Sequence, residues 1–309
     1  MLNANIYIIG GFLGAGKTTL LQRILNWDID LSSTAVLVNE FGQISVDGML
    51  LDSKGTRLIE LTSGCICCSM GGEFLKSLNE VLNKYIPTRI FVETTGVADT
   101  LDIIALLMDS DVLDKAILKN IVCVLDADFW QEKDNFGIVF FNQVKAADLI
   151  ILNKIDLVDT DLIPLFIEEI RQINPRAMIA PTCQCEIDPD ILLERDETEL
   201  SHLLDNVNLL TKSELGDEKR PEFMTFTFLD EGFLSEARFT AFIEKIPSNV
   251  FRIKGIVRFP GGKVALNHVG GRSQWTEIKC SEGTELVFVG WRMDTDAILR
   301  DLDACREAV

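Results

Sequence analysis

The chain has 309 residues, with 29 Lys and Arg against 48 Asp and Glu, a formal charge of −19. That anionic excess excludes the usual nucleic-acid binder, which neutralises phosphates with cations, and docking on an anionic membrane surface. With 47% hydrophobic and 25% charged residues, the composition is that of a folded chain of about two domains rather than a disordered one.

The N-terminal run MLNANIYIIGGF carries no basic residue ahead of its apolar stretch, unlike a secretory signal. No apolar stretch approaches the ~18 residues of a membrane span. A cytoplasmic protein is expected, so its eight cysteines should be mostly reduced.

In chain order, short apolar runs alternate with amphipathic stretches. Ile6–Ile9, Ala35–Val38, Arg57–Leu61, Ile90–Val92, Ile121–Leu125, Leu149–Leu152 and Ala177–Ala180 read as buried strands. Between them, Lys17–Trp27, Glu73–Tyr85, Asp99–Met108, Lys133–Ala146 and Leu162–Ile173 read as helices. Such alternation predicts βαβ units, hence an α/β domain with a mostly parallel sheet flanked by helices.

The alternation stops near residue 205, so residues 1–205 form the first domain. The charged stretch 206–221, which ends at Pro221, reads as a linker. Residues 222–309 read as a small α+β domain. Its strands are Phe223–Phe228, Phe251–Phe259, Val264–Val269 and Glu285–Trp291, and its helices Leu234–Ile246 and Asp294–Cys305.

Gly11-Phe12-Leu13-Gly14-Ala15-Gly16-Lys17-Thr18 fits the phosphate-loop pattern G-x-x-x-x-G-K-[ST], between a strand and a helix. Glycines let backbone N–H groups curl around phosphate, and the helix N-terminus adds partial positive charge. Lys17 should bridge the β- and γ-phosphates and Thr18 ligate Mg²⁺; Thr19 follows as a further nucleotide-binding position. Asn153-Lys154-Ile155-Asp156, after the sixth strand, fits N-K-x-D. There Asp156 accepts from guanine N1–H and the 2-amino group, selecting GTP over ATP.

Glu40 ends the second strand, Cys65-Ile66-Cys67-Cys68 follows the third, and Glu93-Thr94-Thr95-Gly96 ends the fourth. In a parallel sheet these carboxyl ends share one edge, where ligands bind. Glu93 stands where nucleotide hydrolases hold the Mg²⁺ shell, making Lys17, Thr18 and Glu93 the candidate catalytic set, and the Gly96 N–H is placed to touch the γ-phosphate. Three thiols within four residues favour Zn²⁺, Co²⁺ or Cu⁺ over hard cations. Three ligands leave a fourth tetrahedral position for water, a carboxylate such as Glu40 or a client's ligand, and an incomplete shell suits transfer better than structural storage. A structural zinc and a redox switch are the alternatives, and either would make the protein a GTP-operated regulatory switch.

GFLGAGKTTLL, VNEFG, ELTSGCICC, FVETTG and NKID, in this order, resemble the CobW-type metallochaperone GTPases, relatives of the urease and hydrogenase maturation GTPases. The resemblance spans the whole chain, with Arg252–Gly255 and Val287–Gly290 resembling the family's C-terminal domain. It implies a GTPase that binds a transition metal, zinc, cobalt or iron in the family and zinc or cobalt as the expectation here, at Cys65, Cys67 and Cys68 in a nucleotide-dependent way and delivers it to a client metalloprotein. It also implies that Gly11–Thr18 hold phosphates and Mg²⁺, that Asp156 reads guanine, and that Glu40 joins a metal or Mg²⁺ shell. Two features depart from the pattern. Gln43 stands where many relatives have a second acidic residue, although Asp47 is nearby, and only two histidines, His202 and His268, occur, too few for a large metal reservoir. His268 reads as structural, Cys123 as core, and Cys183-Gln184-Cys185 as the wall of the base pocket. The second domain suits client recognition or dimerisation into a homo-oligomer.

Overall fold

The computed structural model describes residues 4–38, 57–60, 71–108, 110–194, 223–247, 249–269, 271–278 and 283–307. Glu40, Cys65, Cys67, Cys68, His202, Cys280 and the stretch 206–221 lie outside these. The chain divides into two compact units, Met1–Glu218 and Lys219–Val309.

Among the described residues, the first unit holds seven strands: β1 (Ala4–Gly10), β2 (Thr34–Val38), β3 (Arg57–Glu60), β4 (Arg89–Glu93), β5 (Ala116–Asp126), β6 (Leu149–Asn153) and β7 (Met178–Thr182). They form one sheet in the order β3-β2-β4-β1-β5-β6-β7, and every pairing in it is parallel. The helices are α1 (Lys17–Asn26), α2 (Gly71–Tyr85), α3 (Thr100–Met108), α4 (Gly137–Ala146), α5 (Ile163–Ile173) and the short α6 (Pro189–Leu193). Strand side chains alternate between the two faces, and both faces are covered. Ile6 and Ile8 of β1 pack with Phe74, Leu78, Ile103 and Ile104. Tyr7 and Ile9 pack on the other side with Leu20, Leu21 and Ile24. Burial on both sides explains why β1, β2, β4, β5 and β6 read as continuous apolar runs rather than alternating ones. Each fully buried aliphatic side chain contributes roughly 1.5–3 kcal/mol.

One helix differs from the sequence expectation. The stretch read as a single helix from Lys133 is a 3₁₀ segment, Ala127–Phe136, followed by α4 from Gly137. Gly137 has φ 70°, a left-handed conformation that interrupts the helical path.

The second unit holds β8 (Phe223–Asp230), α7 (Glu236–Glu244), β9 (Val250–Phe259), β10 (Gly262–Val269), β11 (Arg272–Ile278), β12 (Thr284–Trp291) and α8 (Thr295–Ala304). The sheet order is β11-β10-β9-β12-β8, with antiparallel pairings throughout. Strand β11 was not among the expected elements. Phe239, Phe242, Ile298 and Leu302 of the two helices pack against Ile253, Val257, Leu266 and Phe288. His268 is buried here with its Nδ1 2.8 Å from Ser273 Oγ, a structural setting. Among the described residues, no helix is long and apolar enough to cross a membrane.

Candidate functional site

Because the first sheet is parallel, all its strand carboxyl ends face one edge. Across that edge Glu60 of β3 is in register with Val38 of β2, Val38 with Glu93 of β4, and Glu93 with Ile9 of β1. Strand β1 then runs directly into Gly11–Gly16, and α1 begins at Lys17.

The Lys17 ammonium is nearly buried and donates to the carbonyls of Gly11 (2.9 Å) and Phe12 (3.1 Å). It is thereby held within the curve of the loop. The Thr18 hydroxyl donates to Glu93 Oε1 at 2.8 Å, and the Glu93 side chain is buried. Gly16 has φ 117°, and a Cβ there would lie 2.5 Å from Asn153 Nδ2. Only glycine allows that left-handed backbone and that close approach. Gly96 is constrained by space alone, because its Cβ would lie 2.6 Å from the Leu13 nitrogen. The turn after β4 thus rests directly on the phosphate loop. Phe12, Leu13 and Ala15 are buried, whereas Gly14 is exposed.

On the other flank Asn153, at the end of β6, joins three segments. Its Nδ2 donates to Ala15 O (2.8 Å), and its Oδ1 accepts from Thr182 Oγ1 (3.2 Å) and from the Cys185 backbone N–H (2.8 Å). Lys154 adopts φ 63° and directs its Nζ to Asp126 Oδ2 at 2.6 Å. Asp156 lies two residues on, exposed in a short 3₁₀ turn, Ile155–Leu157. Loss of solvent and the neighbouring Asp156 carboxylate raise the Cys183 thiol above its ordinary pKa. Burial pushes Cys185 up to about 12, and its Sγ lies 3.4 Å from Gly16 O. Both cysteines thus favour the neutral thiol; Cys185 is buried against the phosphate loop, whereas Cys183 is exposed beside Asp156. Cys123, inside β5, is likewise pushed up to about 12 by burial.

The expected phosphate-loop residues, Glu93, Gly96 and Asn153 are brought together at one edge. The expected thiols and Glu40 lie outside the described residues, and no cluster of three potential metal ligands occurs among the described ones. Sequence reasoning missed Asp126, although a polar residue ending a buried strand at the carboxyl edge was the available signal. It also missed Asn142 and Gln143, two buried amides on α4.

A glycine-rich loop between a strand and a helix, set in a parallel sheet covered on both sides, defines a P-loop nucleotide-binding architecture. The chain belongs to the CobW/HypB/UreG nucleotide-binding domain family, whose pattern matches residues 5–181. Residues 223–306 match the C-terminal domain of the cobalamin synthesis protein CobW. The chain is 27% identical to a zinc chaperone CobW from a Sinorhizobium species over 348 residues, covering 95% of this chain and 94% of that protein. It is 35% identical to the zinc chaperone YjiA of Escherichia coli K12 over 193 residues, 60% of each chain. Among solved structures, a Zn(II)-bound triple mutant of the YjiA GTPase superposes with a TM-score of 0.50 at 21% identity, over 99% of this chain and 100% of that one. That likeness concerns the fold alone.

Proposed function

We propose that the protein is a GTPase that binds a transition metal at Cys65, Cys67 and Cys68 and delivers it to a client metalloprotein according to the bound nucleotide. Family membership and the zinc chaperones among its relatives support the GTPase and zinc parts of this reading. The observation that carries the coupling is the register across the carboxyl edge. Glu60, Val38, Glu93 and Ile9 lie in one row. The chain continues from Val38 to Glu40 within two residues and from Glu60 to Cys65 within five. Strand β3 is three strands from β1, about 14 Å at the usual strand spacing. Five residues reach up to about 17 Å, enough to bring the thiols toward the phosphate loop.

In this reading water attacks the γ-phosphorus and the bond to the β-bridging oxygen breaks, giving GDP and inorganic phosphate. Lys17 and the backbone N–H groups of Gly11–Thr18 balance the charge on the phosphates. The Gly96 N–H meets the γ-phosphate, and Asp156 pairs with guanine N1–H and the 2-amino group. The Thr18 hydroxyl and Glu93 carboxylate, 2.8 Å apart, are hard oxygen donors of the kind Mg²⁺ takes. When bound, Mg²⁺ would neutralise phosphate charge as hydrolysis proceeds. Zinc and cobalt are the candidate cargo, since thiolates favour both.

The test is titration of Zn²⁺ and Co²⁺ into GTP-loaded, GDP-loaded and nucleotide-free protein. Tighter metal binding in the GTP state is expected, and linkage requires metal to tighten GTP by the same factor. Equal affinity in all three states would overturn the proposal. A Cys65→Ser, Cys67→Ser, Cys68→Ser variant should lose tight metal binding with nucleotide affinity retained.

A further inference from the structure

We propose that Gln143 and Asn142 of α4 are positioning residues that hold the loop Gly96–Asp99 where its backbone can distinguish a triphosphate from a diphosphate. The inference rests on the reading that the Gly96 N–H meets the γ-phosphate.

Helix α4 buries Val139, Phe140, Val144 and Ala146, yet also two adjacent amides, Asn142 and Gln143, at 6% and 0% exposure. Burying an amide without a partner is costly, and apolar side chains would cover the core at lower cost. The amides are instead directed at one short loop. Gln143 Nε2 donates to Ala98 O at 2.8 Å and lies 3.5 Å from Gly96 O. Both neighbours are acceptors, so the NH₂ group must face them. The opposite oxygen, Oε1, has no hydrogen-bond partner among the described residues. Asn142 Nδ2 donates to Asp99 Oδ2 at 2.7 Å, while Asp99 Oδ1 accepts from the Leu101 N–H at 3.0 Å. Both donors therefore anchor the loop immediately before α3.

The opposite side of the loop is fixed by the phosphate loop, where a Gly96 Cβ would come within 2.7 Å of Leu13 Cα. The same helix and the residue preceding it also reach that phosphate loop. The Phe136 and Phe140 rings lie 4.4 and 6.1 Å from the Phe12 ring. Segment Phe136–Gln143 thus touches both the loop that would grip the phosphates and the one that would sense the terminal phosphate. Its two amides set the height of the second above the first.

The test compares GTP and GDP affinities of the wild type, Gln143→Met and Asn142→Ala by titration with fluorescent nucleotides, alongside thermal melting. Gln143→Met keeps side-chain length and removes the donor. The GTP-to-GDP affinity ratio should fall about tenfold, the equivalent of one lost hydrogen bond, while GDP affinity stays within about twofold. An unchanged ratio, or equal loss of both nucleotides, would overturn the proposal and leave the amides a purely structural role. So would a wild type that binds GTP and GDP alike. If Gln143→Met fails to fold, the same ratio in Asn142→Ala decides. A wild type that binds ATP as well as GTP would overturn the guanine reading alone, and the amides are then judged from the ATP-to-ADP ratio.

Discussion

The Thr18 hydroxyl donates to Glu93 Oε1 at 2.8 Å, joining the first turn of α1 to the end of β4. Two oxygen donors from different elements are preset at the mouth of the phosphate loop. Thr18→Ala should reduce Mg²⁺-dependent GTP hydrolysis by about 100-fold or more, the range seen when a preorganised polar group is removed from a reacting centre. GDP affinity without Mg²⁺ should change little. Thr18→Ser, which keeps the hydroxyl, should restore most of the rate. Phosphate release followed against Mg²⁺ concentration measures all three proteins, and full activity in Thr18→Ala would refute the assignment.

Gly96→Ala tests the contact between the turn after β4 and the phosphate loop. The new methyl would meet Leu13 N at 2.6 Å and Leu13 Cδ2 at 2.6 Å, so the backbone must move. Such overpacking costs about 1–3 kcal/mol, or a few degrees in melting temperature. Hydrolysis should fall with it. A variant with native melting and native turnover would show that the contact is dispensable.

Asp126→Asn probes the ion pair to Lys154, 2.6 Å long with the Asp126 side chain almost fully buried. Removing the carboxylate frees the Lys154 side chain, whose φ of 63° already commits its backbone. A hydrogen bond to a charged group is worth about 1.5–3 kcal/mol, so GTP and GDP affinity should fall together, by about tenfold or more, with their ratio preserved. This is the opposite signature to that expected of Gln143→Met. A selective loss of GTP would contradict a role for the Asn153–Asp156 motif in holding the base, which GTP and GDP share.

His268 gives a pH dependence with a definite sign. Burial holds its pKa below the ordinary 6.5, so the folded chain keeps the ring neutral. The unfolded chain binds a proton there more readily. The contribution of this site is complete above pH 6.5 and is lost as pH falls below that value toward the lower folded one. Melting of wild type and His268→Gln between pH 5 and 7.5 should diverge in that sense, with the variant losing less on acidification. Parallel curves would contradict it.

Strands β1, β2, β4, β5 and β6 were legible because burial on both faces left runs of Ile, Val and Leu, such as Leu149–Leu152. Strand β11 was not, because its surface pattern, mostly exposed from Gln274 to Glu277, leaves no apolar run or alternation to read. The glycine loop and Asn153–Asp156 were visible as short local motifs. Asp126 and Gln143 were not, because their partners Lys154 and Ala98 lie 28 and 45 residues away in the chain. Only the fold shows Asn142 and Gln143 facing inward.

Asn153 links Ala15, Thr182 and Cys185 through one amide. A thermal fluctuation that loosens any of these anchors therefore weakens the hold of the others. On the proposed function, a nucleotide gripped by the phosphate loop and by the turn after β6 would be released by both at once, because one amide fastens the two.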